Sequence, residues 1–158
     1  MMEFEATLEP AALGDDWAVL CVDDEPRVLS ALERTLRREP YEVLRAGGGC
    51  EALDLLDRFP IKVIVTDERM PGMSGSELLA KVRGIRPCVG RIILTGHPGP
   101  AVMIRSLQVG SDFLMTKPWD EEKLKQAIRR LLFEVDKGHP TGLIPPPEPW
   151  LDLGGEGG

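Results

Sequence analysis

Apolar residues in this chain gather in short continuous runs, and stretches with helical spacing separate the runs. "WAVLCV" (17–22) is apolar throughout and stops at Asp23-Asp24, as a buried strand does. "PRVLSALERTLRRE" follows, with Val28, Leu29, Leu32 and Leu36 at helical spacing and Pro26 suited to a first helical turn. "YEVLRA" reads as a second, weaker strand and "CEALDLLDRF" as a second helix. "KVIVTD" is a third strand, β-branched and free of proline. Ser74-Gly75-Ser76-Glu77 then spells a capping box just before Leu78, Leu79 and Val82. "RIILT" is a fourth strand, "PAVMIRSLQ" a short helix entered through the Gly96–Pro100 loop, and "DFLMT" a fifth strand. The last helix is expected from about Asp120 to Phe133, with Leu124, Ala127, Ile128 and Leu131 on one face and Glu121 and Glu122 near its positive end.

Strand and helix thus alternate five times. Apolar strands separated by amphipathic helices predict an α/β domain, a parallel sheet covered on both faces and joined by right-handed crossovers. In such sheets the working groups sit beyond the carboxyl ends of the strands, near the switch in strand order.

Charge divides the chain into three parts. Residues 1–16 carry Glu3, Glu5, Glu9, Asp15 and Asp16 with no Lys or Arg, and residues 137–158 carry one Lys against three acids. Trp17–Asp136 holds equal numbers of acids and bases, so the net charge of -7 belongs to the flanks. The first segment reads as a loosely ordered acidic extension, with at most a helical turn around Pro10–Leu13. The second, "KGHPTGLIPPPEPWLDLGGEGG", reads as a disordered Pro/Gly-rich tail or linker. Residues 17–136 are the expected folded domain.

Several function classes become unattractive. No basic stripe with interleaved aromatics argues for direct nucleic-acid binding. No apolar run is long enough for a membrane span, and the acidic start lacks a secretion signal, so cytoplasmic residence is expected. Cys21, Cys50 and Cys88 form no paired-ligand pattern, and Cys21 reads as a small core residue; His97 and His139 are too scattered for a zinc site. Gly47–Gly49 lacks the Gly-Lys-Ser/Thr of a phosphate loop and reads as a flexible strand-to-helix connection. Trp119 is expected to cover apolar surface at the start of the last helix. Lys123, Lys125, Arg129 and Arg130 are expected to form a solvated face.

The strand ends carry the chemistry. The first gives Asp23-Asp24, the third Asp67, the fourth Thr95 and the fifth Lys117, all on one edge of a parallel sheet. Carboxylates crowded there repel unless a cation is present, and a hard divalent ion such as Mg2+ resolves the conflict with few protein ligands. Acids, metal, hydroxyl and lysine suit transfer of a phosphoryl group onto an aspartate. Asp67, alone at the tip of the most apolar strand, is the best nucleophile. Lys117 would contact the incoming phosphoryl oxygens, and Gly96 leaves room for the group.

At this point the chain resembles the receiver domain of two-component response regulators, over Trp17–Asp136. "VLCVDDEP", "VIVTDERMPGMSG", "IILTGH" and "LMTKPW" carry the likeness, in the family's order and spacing. The resemblance implies a single doubly wound (βα)5, flavodoxin-like domain with strand order 2-1-3-4-5. It makes Asp67 the phosphorylated aspartate and assigns Mg2+ to Asp23, Asp24, Asp67 and the Arg69 backbone carbonyl, with Asp24 the more direct ligand of the acidic pair. Thr95 becomes the hydroxyl that closes on the phosphoryl group, and Lys117 the lysine before Pro118, through a bond that is typically cis in the family. The donor would be a sensor histidine kinase, a histidine phosphotransfer protein or a small molecule such as acetyl phosphate. Such a module is a phosphoacceptor that also hydrolyses its own phosphoaspartate. It switches conformation to control a downstream target protein or an output domain, and its fourth helix, fifth strand and fifth helix often pair two copies.

One position departs from the pattern. The family commonly has Tyr or Phe three residues before the lysine, where this chain has Leu114, with Phe113 one residue earlier; strand alternation would send the two to opposite faces. Arg69 and His97 are placed to influence water attack on a phosphoaspartate. A rival reading is an aspartyl phosphatase or phosphotransferase with Glu68 as general acid, although no inserted cap segment is visible.

Overall fold

The computed structural model describes residues 17–136. The expectations for residues 1–16 and 137–158 fall outside the described residues. Ten elements alternate as the pattern predicts: β1 (Ala18–Val22), α1 (Pro26–Leu36), β2 (Glu42–Ala46), α2 (Gly49–Arg58), β3 (Ile61–Thr66), α3 (Gly75–Ile85), β4 (Gly90–Thr95), α4 (Pro100–Gln108), β5 (Phe113–Thr116) and α5 (Glu121–Asp136). The strands form one sheet in the order β2-β1-β3-β4-β5, and every pair is parallel. The doubly wound expectation therefore holds, strand order included.

Side-chain alternation divides the interior in two. Val19, Cys21, Val63, Val65, Ile92, Leu94 and Phe113 face α1 and α5, where Leu32, Leu36, Leu124, Ile128 and Leu131 meet them. Leu20, Val22, Ile64, Ile93 and Leu114 face the opposite way, onto Leu56 of α2, Leu78 and Val82 of α3 and Val102 of α4. Burying each such aliphatic side chain contributes about 1.5–3 kcal/mol, so both faces are needed to hold the sheet. Cys21 is an inert member of the first layer, its thiol pushed up to about 12 chiefly by burial.

Local signals explain the helix starts. Ser74 Oγ accepts from the Glu77 N–H at 3.1 Å while Glu77 Oε1 accepts from the Ser74 N–H at 2.9 Å, completing the capping box at α3. Pro26 and Pro100 open α1 and α4, where the missing N–H has no partner to lose. In the Pro-Gly turn before α3, Gly72 adopts a φ of 82°, a left-handed conformation that glycine accepts without strain.

Two expectations change. Gly49 is a packing position rather than slack in a connection, because an added Cβ would collide with the Met73 side chain. Arg129 is not part of a merely solvated face: its guanidinium forks onto Glu39, just beyond α1, with hydrogen bonds of 2.8 and 2.7 Å. The Glu39 side chain is 3% exposed, so this pair ties α1 to α5 in a poorly solvated seam. Trp119 covers the same seam, as expected, and its indole N–H donates to Thr35 Oγ1 at 3.1 Å.

Removing one member of the pair leaves a buried charge. Arg129→Met should lower stability by about 3 kcal/mol, and adding Glu39→Leu should restore most of it, both read from urea unfolding midpoints. A single substitution without effect would mean that Glu39 is hydrated in solution.

Candidate functional site

Three of the four strands that contribute chemistry stop one residue short of the side chain that matters. Asp23 follows β1, Asp67 follows β3 and Lys117 follows β5. The backbone ladder nonetheless continues through them. The Asp23 N–H donates to Ala46 O at 3.1 Å, the Asp67 N–H to Val22 O at 3.0 Å and the Lys117 N–H to Thr95 O at 2.8 Å. Their backbones thus keep sheet geometry, although the residues lie beyond the strands.

The acids converge. Asp23, Asp24 and Asp67 offer carboxylate oxygens all within 4.8 Å of one another. Asp23 and Asp67 are buried and Asp24 is exposed. The Lys117 ammonium sits 2.7 Å from Asp23 Oδ2 and 3.4 Å from Asp67 Oδ1. Asp23 also accepts from the Glu25 N–H at 2.9 Å, and Asp67 Oδ1 from the Glu68 N–H at 2.9 Å. Three oxygen donors so close together fit a hard divalent cation, with Asp24 the most open to solvent.

Electrostatics follow from burial. Burial raises the Asp67 pKa above the ordinary aspartate range, and the Asp23 charge adds to that; Lys117 and the Glu68 N–H oppose it without prevailing. For Lys117, burial works against the ammonium, yet the hydrogen bond and charge of Asp23 and the nearby Asp67 raise its pKa overall. The lysine therefore stays charged while Asp67 is the more reluctant anion.

Thr95 ends β4 at the same edge, 1% exposed, and its Oγ1 accepts from the His97 N–H at 3.0 Å. Gly96 lies against the Lys117 side chain, with 3.9 Å from its would-be Cβ to Lys117 Cδ. Arg69 is exposed on the β3–α3 loop, and His97 is exposed beyond Thr95. The Lys117-Pro118 bond is cis. Phe113 and Leu114 do separate: the ring packs toward α5 and the leucine toward the face that α4 covers. No aromatic of β5 therefore faces α4.

Two features of the site had little sequence signal. Gly75 is packed so tightly on the Asp67 carbonyl that a Cβ would overlap it. Glu68, which reads only as an alternative acid beside Asp67, is 3% exposed and turned toward α3 and α4. A buried glutamate two residues after a strand gives no periodic pattern by which to find it.

The comparisons with known proteins agree with this geometry. The family described as the response regulator receiver domain matches residues 19–129. The chain is 36% identical over 110 residues to the transcriptional regulatory protein GlrR of Escherichia coli, covering 70% of this chain and 25% of that protein. It is 39% identical over 113 residues to the hydrogenase transcriptional regulatory protein HoxA of Cupriavidus necator, covering 71% of this chain and 23% of that one. The chain thus spans about a quarter of the length of these relatives. Among solved structures, the signal receiver domain of an HD domain-containing protein from Pseudomonas fluorescens superposes with a TM-score of 0.74 at 28% identity, covering 77% of this chain and 98% of that one.

The raised Asp67 pKa has a consequence for stability. The folded chain keeps that proton to higher pH than the unfolded chain, so this group's favourable contribution is complete at acid pH and lost as pH climbs through the folded pKa. Asp67→Asn should therefore raise the stability of chelator-treated protein near pH 7. The gain should vanish once the pH falls below the ordinary aspartate range, as read from urea midpoints across pH. A substitution that destabilises at neutral pH would show that Lys117 outweighs burial.

Proposed function

The chain belongs to the response regulator receiver domain family, and we propose that Asp67 accepts the phosphoryl group through which it signals. A receiver of this family is a module of two-component phosphorelay signalling, and its acidic pocket binds Mg2+. The observation that carries the residue assignment is the treatment of the Asp67 carboxylate. Oδ1 is engaged by the Glu68 N–H and the Lys117 ammonium, which leaves Oδ2 to attack phosphorus. An Oδ2–P bond forms as the donor's bond to phosphorus breaks, and the donor leaves with that electron pair.

The chain's own residues do most of this by placement. Lys117, already fixed by Asp23, supplies positive charge where phosphoryl oxygens gather. Asp23, Asp24 and Asp67, with the Arg69 backbone carbonyl, are the groups proposed to hold Mg2+, which when bound neutralises the phosphoryl oxygens. Thr95 would give up the His97 N–H to turn its hydroxyl toward the new phosphoryl group. Glu68 is an unsuitable general acid for turnover of a separate substrate, because Ser76 and Arg105 take its carboxylate. This favours a phosphoacceptor that promotes its own phosphorylation and dephosphorylation over an aspartyl phosphatase.

The proposed donors are a sensor histidine kinase, a histidine phosphotransfer protein or acetyl phosphate, and the recipient a downstream protein or an output domain. Cytoplasmic residence fits the reading; none of the described helices is long and apolar enough to cross a membrane. Ile104 and Leu107 of α4 and Phe133 of α5 are exposed, which supports that side of the molecule as a pairing surface for a second copy. The domain limits proposed are 17–136, flanked by an acidic extension and a Pro/Gly-rich tail.

Acetyl phosphate with magnesium should add one phosphoryl group per chain, measured by intact mass. Asp67→Asn should abolish it and Lys117→Ala should slow it by at least about a hundredfold. Labelling that survives Asp67→Asn would remove Asp67 from this role, and sustained hydrolysis of a generic phosphate ester would favour the phosphatase instead.

A further inference from the structure

Glu68 makes more interactions than any residue of the acid cluster, yet its carboxylate lies outside that cluster. Its backbone N–H holds Asp67 Oδ1 at 2.9 Å. Its carbonyl accepts from the Gly75 N–H at 3.0 Å. Its carboxylate accepts from the Ser76 N–H at 2.9 Å and from Ser76 Oγ at 2.7 Å through one oxygen, and from Arg105 Nε at 3.0 Å through the other.

Each contact has a physical reason. Gly75 and Ser76 are the first two residues of α3, whose N–H groups have no partner within the helix. A carboxylate at that end satisfies one of them and meets the positive pole of the helix. The Glu68 side chain is 3% exposed, so its charge requires these donors and the guanidinium. Arg105 comes from α4 and is itself 46% exposed. Its hold on Glu68 can therefore open without burying an unpaired cation. The peptide that orients Asp67 is thus clamped to α3 on one side and tethered to α4 on the other.

We propose that Glu68 is a positioning residue for Asp67, and that its pairing with Arg105 links the state of the Asp67 carboxylate to the position of α4. This rests on Asp67 being the phosphoacceptor. The Glu68 side chain fixes the peptide whose N–H restrains Oδ1, so that Oδ2 is presented to the donor. When phosphorylation redistributes the bonds of the Asp67 carboxylate, the Glu68 peptide shifts with it, and the carboxylate carries that shift to Arg105. Ser76 belongs to the clamp and Arg105 to the tether, so the two roles separate by mutation.

The test compares wild type with Glu68→Ala, Glu68→Gln and Arg105→Gln. Two quantities are read: the rate of labelling by acetyl phosphate with magnesium, and amide hydrogen exchange along α4 with and without beryllofluoride. Glu68→Ala should slow labelling at least about fivefold, and Glu68→Gln, whose amide oxygen can still accept from Ser76, should recover most of it. Arg105→Gln should label within about twofold of wild type, yet its α4 amides should exchange about fivefold faster and respond less to beryllofluoride. Labelling of Glu68→Ala at the wild-type rate overturns the positioning role. Exchange in Arg105→Gln that matches wild type in both conditions overturns the link to α4. If Glu68→Ala is unfolded by circular dichroism, Glu68→Asp, whose carboxylate is too short to reach Ser76, is read in its place by the same criterion. Wild type that takes no label refutes the phosphoacceptor reading alone, and exchange without beryllofluoride still decides whether Arg105 holds α4.

Discussion

The functional edge depends on one contact, the Lys117 ammonium against the Asp23 carboxylate at 2.7 Å. The lysine side chain is 17% exposed and the aspartate 2%, so neither charge can rely on water. Without the cation, Asp23 and Asp67 would be two buried anions side by side, and protonation would be the cheaper arrangement. With it, both carboxylates remain available at the end of the sheet, and a single side chain spans β1 and β3 from β5. The cation is also held from behind, since the Lys117 N–H donates to Thr95 O as if β5 continued. Charge compensation and backbone registry are thus the same piece of structure.

Much of this was legible in the sequence because the governing signals are local or periodic. Continuous apolar runs found the five strands, amphipathic spacing found the five helices, and the capping box at Ser74 and Glu77 marked the start of α3. In a parallel sheet, alternation alone places strand-end residues on one edge, so Asp23, Asp24, Asp67, Thr95 and Lys117 could be grouped without coordinates. Alternation also separated Phe113 from Leu114, and the two do pack on opposite sides of the sheet. The strand order came from the family likeness rather than from any pattern in the strands.

What escaped the sequence is pairing between elements distant along the chain. Arg91 opens "RIILT" as a polar strand terminus would, yet it is wholly buried, with Nε donating to Gly110 O. Arg129 belongs by spacing to an exposed face, and only the fold brings Glu39 beneath it. Glu68 and Arg105 are 37 residues apart, and no periodicity relates a loop glutamate to an arginine on a later helix. Arg91, Glu39 and Glu68 are charged side chains whose burial becomes tolerable only through a partner, and the partner's position is a property of topology.

The seam between α1 and α5 has a consequence of its own. Trp119 stands two residues from Lys117, half-buried, with its indole N–H on Thr35 Oγ1, while the Thr35 hydroxyl reaches Glu121 at 3.4 Å. Indole emission depends on the polarity and bonding around that N–H. The chain therefore carries an intrinsic optical gauge at the point where Lys117 leads into the last helix, readable without any attached dye.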